Sequence, residues 1–200
     1  MPVGLPKIPY PLPDDDDDEE SECNGLYRRR MLILGGEITS ELANVMTGVL
    51  IFFSLADSSK KFKFFINSLG GSVIDGIAIA DTIETILAPV ETIVTGIAAS
   101  MASFILNAGN SRIAFPHARV MMHQPSFSSY LEENDVDFFL EMDEIKRMHD
   151  NIIKGFSKRT FKSYETIKAD MKRDLSMSAI EAQEYGLVDL IGGENIFEFP

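Results

Sequence analysis

Apolar and polar positions along this chain of 200 residues fall into blocks of two kinds. Short β-branched or aromatic runs, "KFKFFINS" and "VETIVTG", read as strands, and "RIAF" and "RVMMHQ" as shorter ones. Between them lie stretches with helical spacing. Residues 38–56, "ITSELANVMTGVLIFFSLA", offer Thr39 or Ser40 as an N-cap and a dense apolar face, which predicts a buried helix. "GGSVIDGIAIADTIETIL" reads as a glycine turn followed by a helix. "GIAASMASFILNAG" reads as a turn of small residues and a short apolar helix closed by Gly109 at a C′ position. Residues 135–159 make the longest helix. There Phe138, Met142, Ile145, Ile152 and Phe156 keep a helical spacing, while Phe139, Leu140, Met148 and Ile153 widen the stripe, so this helix needs more than one partner. "SYETIKADMK" and "SAIEAQEYGLVDLI" both begin as helices. No repeat of fixed period occurs, and strands alternating with helices predict a layered α/β domain.

Composition adds boundaries. A chain of this length with 45% hydrophobic residues can bury one sizeable core. The net charge of −13 is uneven, because the first 25 residues hold Asp14 to Asp18, Glu19, Glu20 and Glu22 against Lys7 alone. That Pro-rich, then acidic segment has too little apolar surface to offset the entropy of ordering, so a mobile tail over residues 1–25 and a folded domain over residues 26–200 are expected. No basic face offers itself to nucleic acid or to an anionic membrane. The longest apolar stretches fall short of the 18 to 20 residues or so that span a bilayer. Cys23 is the sole cysteine, which excludes a disulfide framework or a cysteine-based zinc site within the chain. The opening residues have neither a secretory apolar core nor the character of a transit peptide, so no cleaved leader is expected.

Ser100 stands where the strand meets the short helix. A serine hydroxyl needs a base to take its proton, and a strand-to-helix turn exposes its oxygen beside free backbone N–H groups. Serine in such a place is more often a simple cap, and the surrounding G-x-A-A-S-M-A is not the G-x-S-x-G elbow. Three histidines could serve as base: His123, which ends an apolar strand before the "QP" turn, His117 in a loop after proline, and His149 within the long helix. Asp174, between two helical segments, could orient that base, with Asp170 and Asp189 as rivals.

The blocks "INSLGGSVIDGIAIADT", "GIAASMASFILNAG", "RVMMHQP" and "RDLSMSAIEAQEYGLVD" together resemble the proteolytic subunit of the Clp protease, in order and in separation, over roughly residues 26 to 191. The resemblance implies a catalytic triad of Ser100, His123 and Asp174, and an oxyanion hole made by the backbone N–H groups of Gly71 and Met101. It implies a crotonase-like fold of repeated ββα units with a long helix for ring stacking, heptameric rings stacked as a tetradecamer, a Clp-type ATPase unfoldase as partner, and unfolded polypeptide as substrate. No metal or cofactor is expected in this chain, since ATP would be used by the unfoldase and no G-x-x-x-x-G-K-[ST] loop occurs. The opening "MPVGLPKIP" and "AFPHARVMMHQP" are similar to the subunit that plastids encode, which implies the chloroplast stroma as compartment, with a bacterial cytoplasm as the alternative. Two departures stand out: Leu69 where the family usually has proline, and Ala102 where glycine is frequent. A crotonase-like acyl-CoA enzyme, a non-catalytic subunit of the same barrel and a signal-peptide peptidase of related fold are the competing classes.

Overall fold

The computed structural model describes residues 25–124 and 137–192. The acidic run at residues 14–22, the rest of the chain before Gly25 and the side chains at the start of the long helix lie outside the described residues.

After a single helical turn, α1 (Gly25–Arg28), strand β1 (Met31–Leu34) leads to helix α2 (Ser40–Ala56). Thr39 is the N-cap, its hydroxyl accepting the Leu42 N–H at 3.3 Å. Strand β2 (Phe62–Ser68), helix α3 (Val73–Thr85) and strand β3 (Val90–Ala99) follow, and β3 runs three residues past Gly96, up to Ser100. Helix α4 (Met101–Ala108), strands β4 (Ser111–Ala114) and β5 (Arg119–Met122) and the long helix α5 (Asp137–Thr160) come next. Helix α6 (Tyr164–Lys172), strand β6 (Leu175–Ser178), helix α7 (Ala179–Tyr185) and the two-residue strand β7 (Leu190–Ile191) complete the described residues.

Four parallel ladders set the sheet order β1-β2-β3-β4-β7. Period-2 alternation divides β2 between the two faces. Phe62, Phe64 and Ile66 are fully buried with Met46, Leu50, Ile79 and Ile105 of the helices in the larger cluster, while Phe65 joins Met31, Ile93 and Ile113 in a smaller one. The layered α/β order is therefore the one the hydrophobic pattern predicts.

Three local readings change. Helix α2 is not buried all round: Ala43, Met46 and Leu50 face the core, but Phe52 and Leu55 are 66% and 83% exposed, and Val45 and Ile51 are exposed with them. Gly109 does follow the last residue of α4, with φ of −59° rather than a left-handed turn. "LSMS", between two helices, forms strand β6, antiparallel to β5. In α5, Ile152, Ile153 and Phe156 are buried, and Phe156 meets Phe104 edge to face at 5.5 Å.

Candidate active site

The sheet forks at β3. Its first half pairs with β4 from Glu91 to Val94, and its last three residues pair with β5, Ala99 lying opposite Met121. The opened edge ends at Ser100, whose N–H donates to the Met121 carbonyl at 3.1 Å. Ser100 is the N-cap of α4 by position only, because its hydroxyl makes no capping hydrogen bond. Its φ of 57° and ψ of −130° are a conformation that L residues rarely adopt. The carbonyl accepts both the N–H and the hydroxyl of Ser103, at 3.0 and 2.6 Å; Ser100 is half-buried, and among the described residues its hydroxyl has no hydrogen-bond partner.

Strand β5 then carries the chain to His123. The antiparallel pairing of Met122 with Leu175 means that the next step in each strand sets His123 across from Asp174. The Gln124 N–H donates to the Met171 carbonyl at 3.0 Å, tying the strand exit to the last turn of α6. Asp174 is exposed with φ of 52°, a left-handed conformation aspartate tolerates. Ser100, His123 and Asp174 thus stand at neighbouring ends of β3, β5 and β6. Among the described residues no hydrogen bond links their side chains, and catalytic hydrogen bonds often tighten only in the complex with substrate.

The rival residues are engaged elsewhere. Asp170 is buried, accepting the Tyr185 hydroxyl at 2.6 Å and pairing with Arg173 at 2.7 Å. Burial, helped by that bond to Asp170, pushes the Tyr185 hydroxyl well above its ordinary range. Asp189 lies by β4, where both its oxygens take hydrogen bonds from Arg112. His117 is exposed before β5, at the end of that strand away from His123. His149 is half-buried on α5, and burial lowers its imidazole below the ordinary value.

Beside Ser100 runs the glycine turn after β2. Gly71 bridges to Ile38, with the Ile38 N–H donating to Gly70 and the Ser72 N–H donating to Ile38. In such a parallel bridge the N–H of the middle residue points to the opposite edge, here the side of β3. A β-carbon on Gly71 would collide with the Ile38 backbone, so glycine is required there. Met101 opens α4, and the first N–H groups of a helix have no internal acceptor. Among the described residues neither the Gly71 nor the Met101 N–H has a hydrogen-bond partner. Sequence reasoning missed Ser68. Its hydroxyl donates to the Gly36 carbonyl and accepts the Gly70 N–H at 3.0 Å, locking the turn that aims Gly71. Leu69 stands 74% exposed on that turn, and Ala102 is buried in α4.

Among the described residues, no three His, Cys, Asp or Glu side chains are placed to hold a metal ion, and no helix is long and apolar enough to cross a membrane.

An activatable serine at a strained strand-to-helix junction, two free N–H donors beside it and an imidazole one strand away are the equipment of acyl transfer. The family described as Clp protease matches residues 15–195. The ATP-dependent Clp protease proteolytic subunit of Zea mays is 46% identical, covering 99% of this chain and 93% of the relative. That of Morus indica is 47% identical over 97% of this chain and all of its own length, and that of Triticum aestivum 45% identical over 98% and 92%. Site geometry, fold and near-complete coverage converge: the chain belongs to the Clp protease family.

Proposed function

We propose that the chain is the proteolytic subunit of an ATP-dependent Clp protease, a serine endopeptidase that cuts unfolded polypeptides to small peptides with Ser100 as nucleophile, His123 as base and Asp174 as orienter. One arrangement carries this reading: the ends of β3, β5 and β6 gather those three residues beside the free N–H groups of Gly71 and Met101.

In the reaction His123 takes the Ser100 proton as Oγ attacks a peptide carbonyl, and Asp174 holds the imidazole in the tautomer that can accept it. The carbonyl oxygen becomes an oxyanion held by the Gly71 and Met101 N–H groups. His123 returns its proton to the leaving amine. Water, deprotonated by the same histidine, then frees the acyl group. No step calls for a metal or cofactor in this chain, and ATP is used by the partner unfoldase.

We further infer that this chain works with homologous subunits in heptameric rings stacked in pairs, capped by a Clp-type ATPase. The exposed apolar side of α2 is consistent with burial in such an assembly. Plant relatives favour the chloroplast stroma over a bacterial cytoplasm as its compartment.

Native mass spectrometry of the assembled particle after fluorophosphonate labelling tests the whole reading. The expected result is a labelled particle with the adduct on Ser100. An assembled particle whose Ser100 resists the probe would make this chain a non-catalytic subunit.

A further inference from the structure

Beside the Gly70–Gly71 turn, the β1–α2 connection, the end of β2 and Ile97 of β3 line an open cavity of about 570 Å³. Its walls differ in chemistry. Leu69, 74% exposed, and the half-buried Ile97 are apolar. Glu37, exposed at the start of the β1–α2 connection, is the sole charged residue of the lining. Among the described residues no cation or hydrogen-bond donor engages its carboxylate. The Asn67 side-chain oxygen accepts the Ile97 N–H at 3.2 Å, which holds the cavity floor to β3.

A lone carboxylate at the mouth of an apolar-walled cavity suits a side chain with a long aliphatic stem and a cationic head. The geometry points to a substrate subsite for lysine or arginine, in which the stem lies along Leu69 and Ile97 and the cation meets Glu37. This inference rests on the peptidase reading, because Gly71, whose N–H would receive the scissile carbonyl, is also one of the lining residues. A peptide held at Gly71 has the cavity within reach of a side chain next to the scissile bond. A neutral aliphatic side chain gains the apolar wall without the ion pair, and an acidic one is repelled. Since Glu37 is open to water, the pair is screened, and the preference is modest, on the order of threefold in kcat/KM.

The test uses matched peptides carrying lysine, norleucine or glutamate singly at each of the two positions on either side of the scissile bond, cleaved by the assembled protease containing this chain. At one position lysine is expected to exceed norleucine about threefold and glutamate to fall below it, the difference shrinking as salt is raised. Glu37→Gln brings the lysine to norleucine ratio close to one, and Glu37→Lys turns the preference towards glutamate. The same ratio at every position in wild type, Glu37→Gln and Glu37→Lys would overturn the subsite. If the norleucine peptide is not cleaved in a Ser100-dependent manner, the peptidase reading itself fails, and the subsite with it.

Discussion

Gly70 stands so close to Ser100 that a β-carbon on the glycine would lie 2.6 Å from the serine Cβ. With φ of 100° besides, no other residue fits there unless the elbow moves. Gly70→Ala should therefore displace the Ser100 hydroxyl without changing the identity of any candidate catalytic residue. The expected loss in kcat/KM is on the order of 10²-fold, with fluorophosphonate labelling slowed in parallel. Ser100→Ala abolishes labelling and costs about 10⁴-fold or more in hydrolysis. Wild-type labelling in Gly70→Ala would mean that the turn and the serine are mechanically independent.

The two aspartates near the end of α6 separate by what they control. Asp174 has no partner within the described residues, so Asp174→Asn should leave the melting temperature in place and cost on the order of 10³ to 10⁴-fold in kcat by favouring the wrong imidazole tautomer. Asp170 holds Tyr185 and Arg173 from a buried position, so Asp170→Asn should cost stability, about 1–3 kcal/mol, and little activity. Thermal melts and steady-state kinetics on the same two proteins check both halves. Reversed outcomes would exchange the roles of the two residues.

Acid should weaken the Arg112–Asp189 clamp. Burial works to raise the Asp189 carboxyl and is the largest single influence, but the hydrogen bonds and charge of Arg112 together outweigh it and hold the group below its ordinary range. Its folded-state value is thus below its unfolded one. Its contribution is present in full above the unfolded value of about 3.9 and is lost as pH falls through the lower folded one. The stability gap between wild type and Asp189→Asn should hold from pH 7 to about 5 and close below about 4. A gap independent of pH would show that the ionised carboxylate contributes nothing.

Phe161 occupies a left-handed backbone conformation, φ 58°, with its ring 95% exposed. The strain of roughly 1 kcal/mol is not offset by burial of the ring. Phe161→Gly should raise stability by about 0.5 kcal/mol after allowing for the freer unfolded chain, whereas Phe161→Ala, which keeps the β-carbon, should not. Denaturant midpoints at constant slope report the difference.

The helices and main strands were legible because each carries its own period and cap. Thr39 announces α2, and the apolar alternation of β2 divides its side chains between two faces as the pattern requires. What periodicity cannot convey is the identity of the partner. The same apolar density that reads as burial in α2 includes Phe52 and Leu55, which face away from this chain's own core. Strand β6 escaped notice because four residues with two serines among them, set between helices, make a weak signal. Ser68 has only its short-range bond to Gly70 as a local signal; the rest of its part in the glycine turn depends on Gly36, brought close by the pairing of β1 with β2. Likewise the sequence could set Asp174 between two helical segments but could not show that Tyr185 occupies Asp170, because Tyr185 reaches it from another helix.

Strand β5 is the hinge pin of the site, parallel to β3 on one edge and antiparallel to β6 on the other. Both ladders join segments distant in sequence, and pairings of that kind are slow to form. Until they close, Ser100 is an ordinary hydroxyl with no imidazole at hand and no paired donors to receive an oxyanion. A half-made copy of this peptidase is therefore harmless to the proteins around it, and its appetite arrives together with the finished sheet.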